Sequence, residues 1–331
     1  MHQPQITIQK LTLGIGSFLL IIKFAAYFLT DSTTILTDAL ESIVNVVAGA
    51  FGLFSLYISA RPKDENHPYG HGKIEFVAAA VEGSLIIIAG IGILGKSGYS
   101  LFYPNLVHNL DWGIAITAVA GLINFGLGVY VSREGKKASS MVLVSSGEHL
   151  KSDGYSTIGM IVGLGLMLLT DWWWLDAVVA MIFGGVIIMA GIHVIQEALS
   201  GIMDEVDYDL VADIVTILDT HRHENCIDVH NLRVIKYGMA LHVDCHITIP
   251  WYFNTREAHD QVDWLEDLLK DNTSKPIEFF VHVDPCTTPS CKVCTKQDCP
   301  VRQFDFEQKI EWNTQNIMLN QKHFCESQPH K

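Results

Sequence analysis

Six long apolar runs restrict this chain more than any other feature of its sequence. They cover residues 11–29, 35–58, 76–103, 113–131, 142–169 and 172–195 of 331. A bilayer core of roughly 30 Å is crossed by about 20 apolar residues in a helix, and each run reaches or approaches that length. Backbone groups in lipid have to satisfy one another, so runs of this kind read as transmembrane helices. The first run lacks a basic n-region and a clear small-residue cleavage site, so it reads as a span and not a leader. The break at Thr170 and Asp171 between the last two runs is the thinnest.

The remaining third is a different kind of polymer. Residues 1–200 carry 14 Asp and Glu against 10 Lys and Arg, whereas residues 201–331 carry 22 against 12. Acidity concentrated outside the apolar runs argues against nucleic acid and suits cations. Arg61, Lys63 and Lys73 fall between spans two and three, and Arg133, Lys136 and Lys137 between four and five, while the other connections carry none. By the positive-inside rule both termini face the cytoplasm, and the expected location is the cytoplasmic (inner) membrane. All seven cysteines lie between Cys226 and Cys325, on the reducing side, so metal binding or plain burial is expected of them and not disulfides.

Beyond the membrane runs the periodicity predicts helix over 207–222, strands over 227–236 and 240–249 joined through Tyr237 and Gly238, helix over 255–271 and strand over 276–283. The expected fold is an α-helical membrane protein with six transmembrane helices plus a cytoplasmic α+β C-terminal domain. The expected divisions are 1–203, 204–285 and 286–331, the last a Cys-rich segment followed from residue 303 by a polar tail.

Ionisable groups within spans are functional candidates by default. Glu41 and Asn45 are four apart on span two, with Asp38 on nearly the same stripe one turn earlier, and His149 and Asp153 repeat the spacing on span five. Helical rise brings the two pairs to similar depth, where imidazole, carboxylate and amide donors make a tetrahedral site for Zn²⁺ or a similar ion. The competing reading is an interhelical hydrogen-bond set that only holds the bundle together. Asp64, His67 and His71 lie on one loop turned by Pro68 and Gly70 and can converge on a cation; they also suit a solvated loop. In the soluble part His242, Asp244 and His246 alternate on one face of a strand, as do His282 and Asp284 on the next. Cys286, Cys291, Cys294 and Cys299 give C-x4-C-x2-C-x4-C, able to bind Zn²⁺ or Cu⁺ but not the usual zinc-ribbon spacing; four inert thiols are the alternative.

The segments TDALESIVN at 37–45, DENHPYGHGKIE at 64–75 and HLKSD at 149–153 together resemble the cation diffusion facilitator family. The resemblance runs to about Pro285. It implies a homodimeric metal/proton antiporter embedded in the bilayer, with a ferredoxin- or metallochaperone-like cytoplasmic domain. Zn²⁺ is the leading substrate, with Fe²⁺, Co²⁺, Mn²⁺ and Cd²⁺ as competitors and protons as counter-ion. It assigns Glu41, Asn45, His149 and Asp153 to the transport site. It also assigns Asp64, His67 and His71 to a loop site, and His230, His246, His259, His282 and Asp284 to a cytoplasmic site, with His242 an extra candidate. Lys73 would pair with Asp204 to interlock the two parts; a lysine at the surface without that role is the competing reading. The chain departs from the family at span two, where Asp or His followed by Asp is usual. Glu41 lengthens the reach and Asn45 removes a charge, and Asp38 is a candidate to restore it.

Two other functions fit a membrane metal site: an intramembrane metalloenzyme and a metal sensor without transport. No HExxH helix or Ser/Lys nucleophile motif supports the enzyme, so none is expected.

Overall fold

The computed structural model describes residues 3–30, 33–103, 110–170, 174–238, 240–273 and 275–325. The chain divides into two compact units, Met1–Met203 and Asp204–Lys331.

The first unit is a bundle of α1 (Gln3–Thr30), α2 (Thr33–Ser59), α3 (Ile74–Phe102), α4 (Leu110–Ala138), α5 (Met141–Thr170) and α6 (Trp174–Ile202). Five carry stretches long and apolar enough to cross a membrane: Pro4–Leu29, Glu41–Ser59, Ile74–Phe102, Trp112–Ala138 and Gly184–Ile202. Among the described residues α5 is not one of these; it contains Glu148, Lys151 and Asp153 and packs against α2, α3, α4 and α6. The weak break at Asp171 lies outside the described residues.

Burial in this bundle is inverted relative to a soluble protein. Phe18, Ile21, Phe28, Ile88, Leu122 and Ile182 are exposed, whereas Gln9, Lys23, Asp38, Glu82, His149 and Asp153 are buried. Only lipid makes that arrangement favourable. Small residues let two helix pairs approach to backbone contact. A Cβ placed on Gly83 of α3 would stand 3.0 Å from the Gly191 carbonyl of α6, and one on Gly128 of α4 would stand 2.8 Å from the Gly147 carbonyl of α5. Near the start of α3, buried Glu75 accepts hydrogen bonds from Ser59 (2.7 Å) and Ser140 (2.8 Å), tying α2, α3 and the turn before α5.

The second unit contains α7 (Tyr208–Thr220), β1 (Asp228–Tyr237), β2 (Ala240–Ile249), α8 (Thr255–Asn272) and β3 (Ile277–Pro285). Asp207 caps α7 by accepting from the Leu210 amide, and Asn254 with Glu257 forms a capping box on α8. The sheet order is β1-β2-β3; β1 and β2 are antiparallel, and β2 and β3 run parallel because α8 carries the chain across between them. One face holds the core, with Val211, Ile214 and Leu218 of α7, Leu265 and Leu269 of α8, and Leu241, Val243 and Ile247 of β2. Alternation then leaves His242, Asp244 and His246 on the other face.

Two features differ from expectation. The alternation predicted along β1 is broken by a bulge between His230 and Arg233, with Asn231 at φ 52°, which exchanges the faces of the residues that follow. The expected polar tail instead completes the core. Trp312 and Ile317 are buried there, and the amides of Asn231 and Leu232 donate to the carbonyls of Leu319 (2.9 Å) and Ile317 (3.0 Å). The bulge thus finds partners for its backbone groups in the tail.

Candidate metal centres

Helices α2 and α5 meet at the residues that the i,i+4 spacing singled out. The Asn45 amide nitrogen donates to Asp153 Oδ2, and Asn45 Oδ1 lies 2.5 Å from His149 Nε2. His149 Nε2 is 3.5 Å from Asp153 Oδ1. Metal–ligand bonds of about 2.0–2.1 Å give a tetrahedron with edges of about 3.3 Å. The His149–Asp153 separation is already of that size, and Asn45 needs to withdraw by less than about 1 Å. A cavity of about 30 Å³ beside the group is lined by Thr12, Asn45, Gly49, Glu82, Ser146 and His149, which is room for a water or a bare ion.

Glu41 is not in this cluster. It lies within electrostatic reach of Asp153, Asp38 and Lys23, but among the described residues it shares no compact ligand shell with His149 and Asp153. Asp38 is paired through Oδ1 at 2.7 Å with Lys23 of α1, and both side chains are under 5% exposed. A buried ammonium already balances that carboxylate.

Three further polar groups of this interior escaped the sequence reading. Lys23 is one. Glu82 of α3 approaches His149 Nδ1 at 4.0 Å and accepts from Ser145 (2.5 Å) and Ser146 (3.3 Å). Gln9 of α1 donates to the Gly49 carbonyl and to Ser146. For Lys23 and Glu82 the signal was present, since an ionisable residue within an apolar run is a candidate in its own right; Gln9 is neutral and precedes the first run.

In the loop between α2 and α3 the three expected groups converge. Asp64 Oδ1 is 2.9 Å from His67 Nδ1, Asp64 Oδ2 is 3.4 Å from His71 Nε2, and the imidazole centres are 4.3 Å apart. The hydrogen bond from His67 holds the Asp64 carboxyl below the usual range. Among the described residues, His71 Nδ1 is buried without a hydrogen-bond partner. Lys73 stands at the N-cap of α3, and Asp204 opens the second unit at φ 57°.

On the open face of the sheet, register carries the chemistry. His230, His246 and His282 occupy one row across β1, β2 and β3, and Asp284 lies in the next. Asp284 Oδ2 is 3.5 Å from His230 Nε2 and 3.2 Å from His246 Nδ1, again close to the tetrahedral edge. His282 is adjacent, its Nε2 3.8 Å from Asp284 Oδ1 and its side chain 65% exposed. His259 does not join them: it sits on α8, exposed, with Asp263 3.6 Å away. His242 is on the correct face but two row positions away, where it meets Glu278 at 3.3 Å.

The groups that support this set follow no pattern of residue spacing. Asp228 is 3.4 Å from His230 Nδ1 and also accepts from Trp312 Nε1 (3.3 Å), the His323 amide (3.0 Å) and the His323 ring (2.6 Å). Burial pushes the Asp228 carboxyl up, but the imidazoles of His230 and His323 outweigh it and hold the group below the usual range. His323 is correspondingly raised: burial opposes its charge and the Asp228 carboxylate overcomes it. Lys322 places Nζ 3.5 Å from Asp284 Oδ1. A carboxylate behind a ligating imidazole fixes ring orientation and strengthens the donor.

Comparison with known proteins bears on both units. Residues 10–203 match the family described as cation efflux transmembrane domain, and residues 206–286 match cation efflux protein, cytoplasmic domain. An uncharacterized transporter of Synechocystis is 26% identical over 279 residues, 84% of this chain and 90% of its own length. The manganese efflux system protein MneS of Bacillus subtilis is 28% identical, over 80% of this chain and 90% of its own. Metal tolerance protein 2 of Oryza sativa is 26% identical, over 83% and 77% respectively.

Proposed function

The chain belongs to the cation efflux, or cation diffusion facilitator, family of metal transporters, and we propose that it moves a divalent transition-metal ion out of the cytoplasm by exchange with protons at the α2–α5 site. The observation that carries this reading is the meeting of Asn45, His149 and Asp153 inside a bundle whose exterior is apolar. The contacts His149 makes to Asn45 and Asp153 are directed at the place a cation would take. Binding replaces shared hydrogens with metal, and release returns them, so protons and metal compete for the same atoms. Glu41 supplies the fourth donor by turning inward from the preceding turn of α2. A carrier of this kind exposes the site to each side of the membrane in turn.

Zn²⁺ is the first substrate to test, because one imidazole with carboxylate and amide oxygens in a tetrahedral frame suits it. Mn²⁺ is the second reading, favoured by the predominance of oxygen donors and by the name of the Bacillus subtilis relative. Fe²⁺, Co²⁺ and Cd²⁺ are weaker competitors. The Lys and Arg distribution supports cytoplasmic termini in a cytoplasmic membrane. The Asp64 and His230 sets then face the compartment being emptied, where they collect or sense the ion. The partner is a second copy of the chain, joined through the cytoplasmic domains.

Uptake into inverted vesicles carrying a pH gradient tests the proposal, with wild type compared to Asp153→Ala for each of the five metals. Gradient-driven uptake of Zn²⁺ or Mn²⁺ that disappears in the variant is expected. Absence of uptake for every metal overturns it.

A further inference from the structure

The loop over residues 286–302, directly after β3, holds four cysteines that the transport reading does not use, and three of them lie beyond residue 286, where the family match ends. Cys286, Cys291, Cys294 and Cys299 are free, and all four line one nearly closed cavity of about 20 Å³. Such a volume admits about one water-sized sphere, enough for a single ion and too little for a multi-iron cluster.

The surrounding chain is organised around this cavity. Cys286 is fixed by its amide bond to the Ile249 carbonyl at 2.8 Å, continuing the β2–β3 pairing. Cys291 and Cys294 flank the end of a short 3₁₀ turn, Thr288–Lys292, whose start is capped by Thr287 and Ser290. Arg302 then holds the loop from the far side: its guanidinium donates to the carbonyls of Cys291 (2.9 Å), Cys294 (3.0 Å) and Lys296 (2.5 Å). Arg302 and Lys296 also line the cavity. One divalent ion held by four thiolates carries a net charge of −2, which Arg302 offsets in part; Lys296 is already paired with Glu224 and Asp298 at 2.9 Å each.

We propose that Cys286, Cys291, Cys294 and Cys299 bind a single structural Zn²⁺ as a tetrathiolate site, separate from the transported ion, clamping the end of β3 to the cysteine-rich loop that follows it. The four sulfurs surround the cavity without yet crowding within 4.8 Å of one another, so the ion draws them inward. A segment whose only regular structure is one 3₁₀ turn accommodates that movement.

The test uses the full-length protein in detergent. After a wash with EDTA that strips loosely held metal, elemental analysis is expected to find about one Zn²⁺ per chain. Asp153→Ala and the double variant His230→Ala/His246→Ala keep it, Cys325→Ser keeps it, and Cys291→Ser/Cys294→Ser loses it. Protein grown with Co²⁺ should show the near-ultraviolet thiolate-to-cobalt charge-transfer absorption together with tetrahedral d–d bands. The wild-type spectrum decides the matter even if the cysteine variant fails to fold. Lack of that absorption in wild type, iron with acid-labile sulfide in place of zinc, or zinc retained in the folded cysteine variant would each overturn the proposal.

Discussion

In the first unit Phe18, Ile21 and Ile182 face outward while Lys23, Asp38, His149 and Asp153 face one another inside; in the second, Leu241, Val243 and Ile247 fill the interior while His246 and His282 stand on the opposite face of the same sheet. Each unit places its clustered polar groups where its own solvent leaves polar atoms tolerable. On the transport proposal, an ion entering the bundle would give up its water, so Asn45, His149 and Asp153, with Glu41, would have to replace the whole shell. An ion held on the sheet would keep part of its hydration. Selectivity is therefore expected to be strict in the bundle and looser on the sheet.

The strongest way to break this contrast is to leave a charge alone inside the bundle. Lys23→Met strands Asp38 in an apolar interior and should lower the stability of the first unit by about 3–5 kcal/mol, while Lys23→Met combined with Asp38→Leu recovers most of it. Detergent unfolding followed by tryptophan emission measures both. Next in size, Asp153→Ala should reduce proton-driven metal flux on the order of 100-fold, since it removes a ligand as well as the partner of Asn45. Metal titration of the sheet site in the same variant should be unchanged, which separates the two centres.

A smaller effect is expected from Asp228→Asn. It keeps the size of the side chain but replaces an acceptor-only group that binds the tail, so the second unit should lose about 2 kcal/mol, measured by hydrogen exchange in the full chain. The smallest is His259→Ala, which should change stability by less than about 0.5 kcal/mol and leave metal affinity unaltered, because its side chain is exposed and does not join the compact group of His230, His246 and Asp284. A clear loss of affinity in that variant would return His259 to the site.

The strength of the periodic signal decided how much was readable. The helices and strands of the second unit fall within a residue or two of expectation because their apolar spacing is regular and their ends are capped by Asp207 and Asn254. The tail was unreadable for the opposite reason: Trp312 and the short run Ile317-Met318-Leu319 stand in polar surroundings, with no period to report that Trp312 and Ile317 are buried. In the bundle, span positions follow from hydropathy, but partners do not. Asp38 shares a stripe with Glu41, so spacing alone suggested a ligand; its true partner, Lys23, comes from another helix. The two loop histidines and Asp64 were legible because a turn of eight residues leaves them few other places to go. His259 came from family correspondence without any local pattern behind it, and within one chain it stands on α8 beside Asp263.

The aligned row of His230, His246 and His282 has a consequence for how this surface can change over time. The row acts as a system of addresses: a donor is specified by which strand it is on and how far along, and neighbouring addresses on one strand point to opposite sides. Single-residue insertions in β2 cannot shift the site slightly; they would send all its donors into the oily layer at once. The bulge at Asn231 then works as a phase correction, keeping Asp228 and His230 in step with the row while the rest of β1 runs one residue offset. Evolution can therefore retune this surface readily by exchanging the residue at an address, but hardly at all by changing the length of a strand.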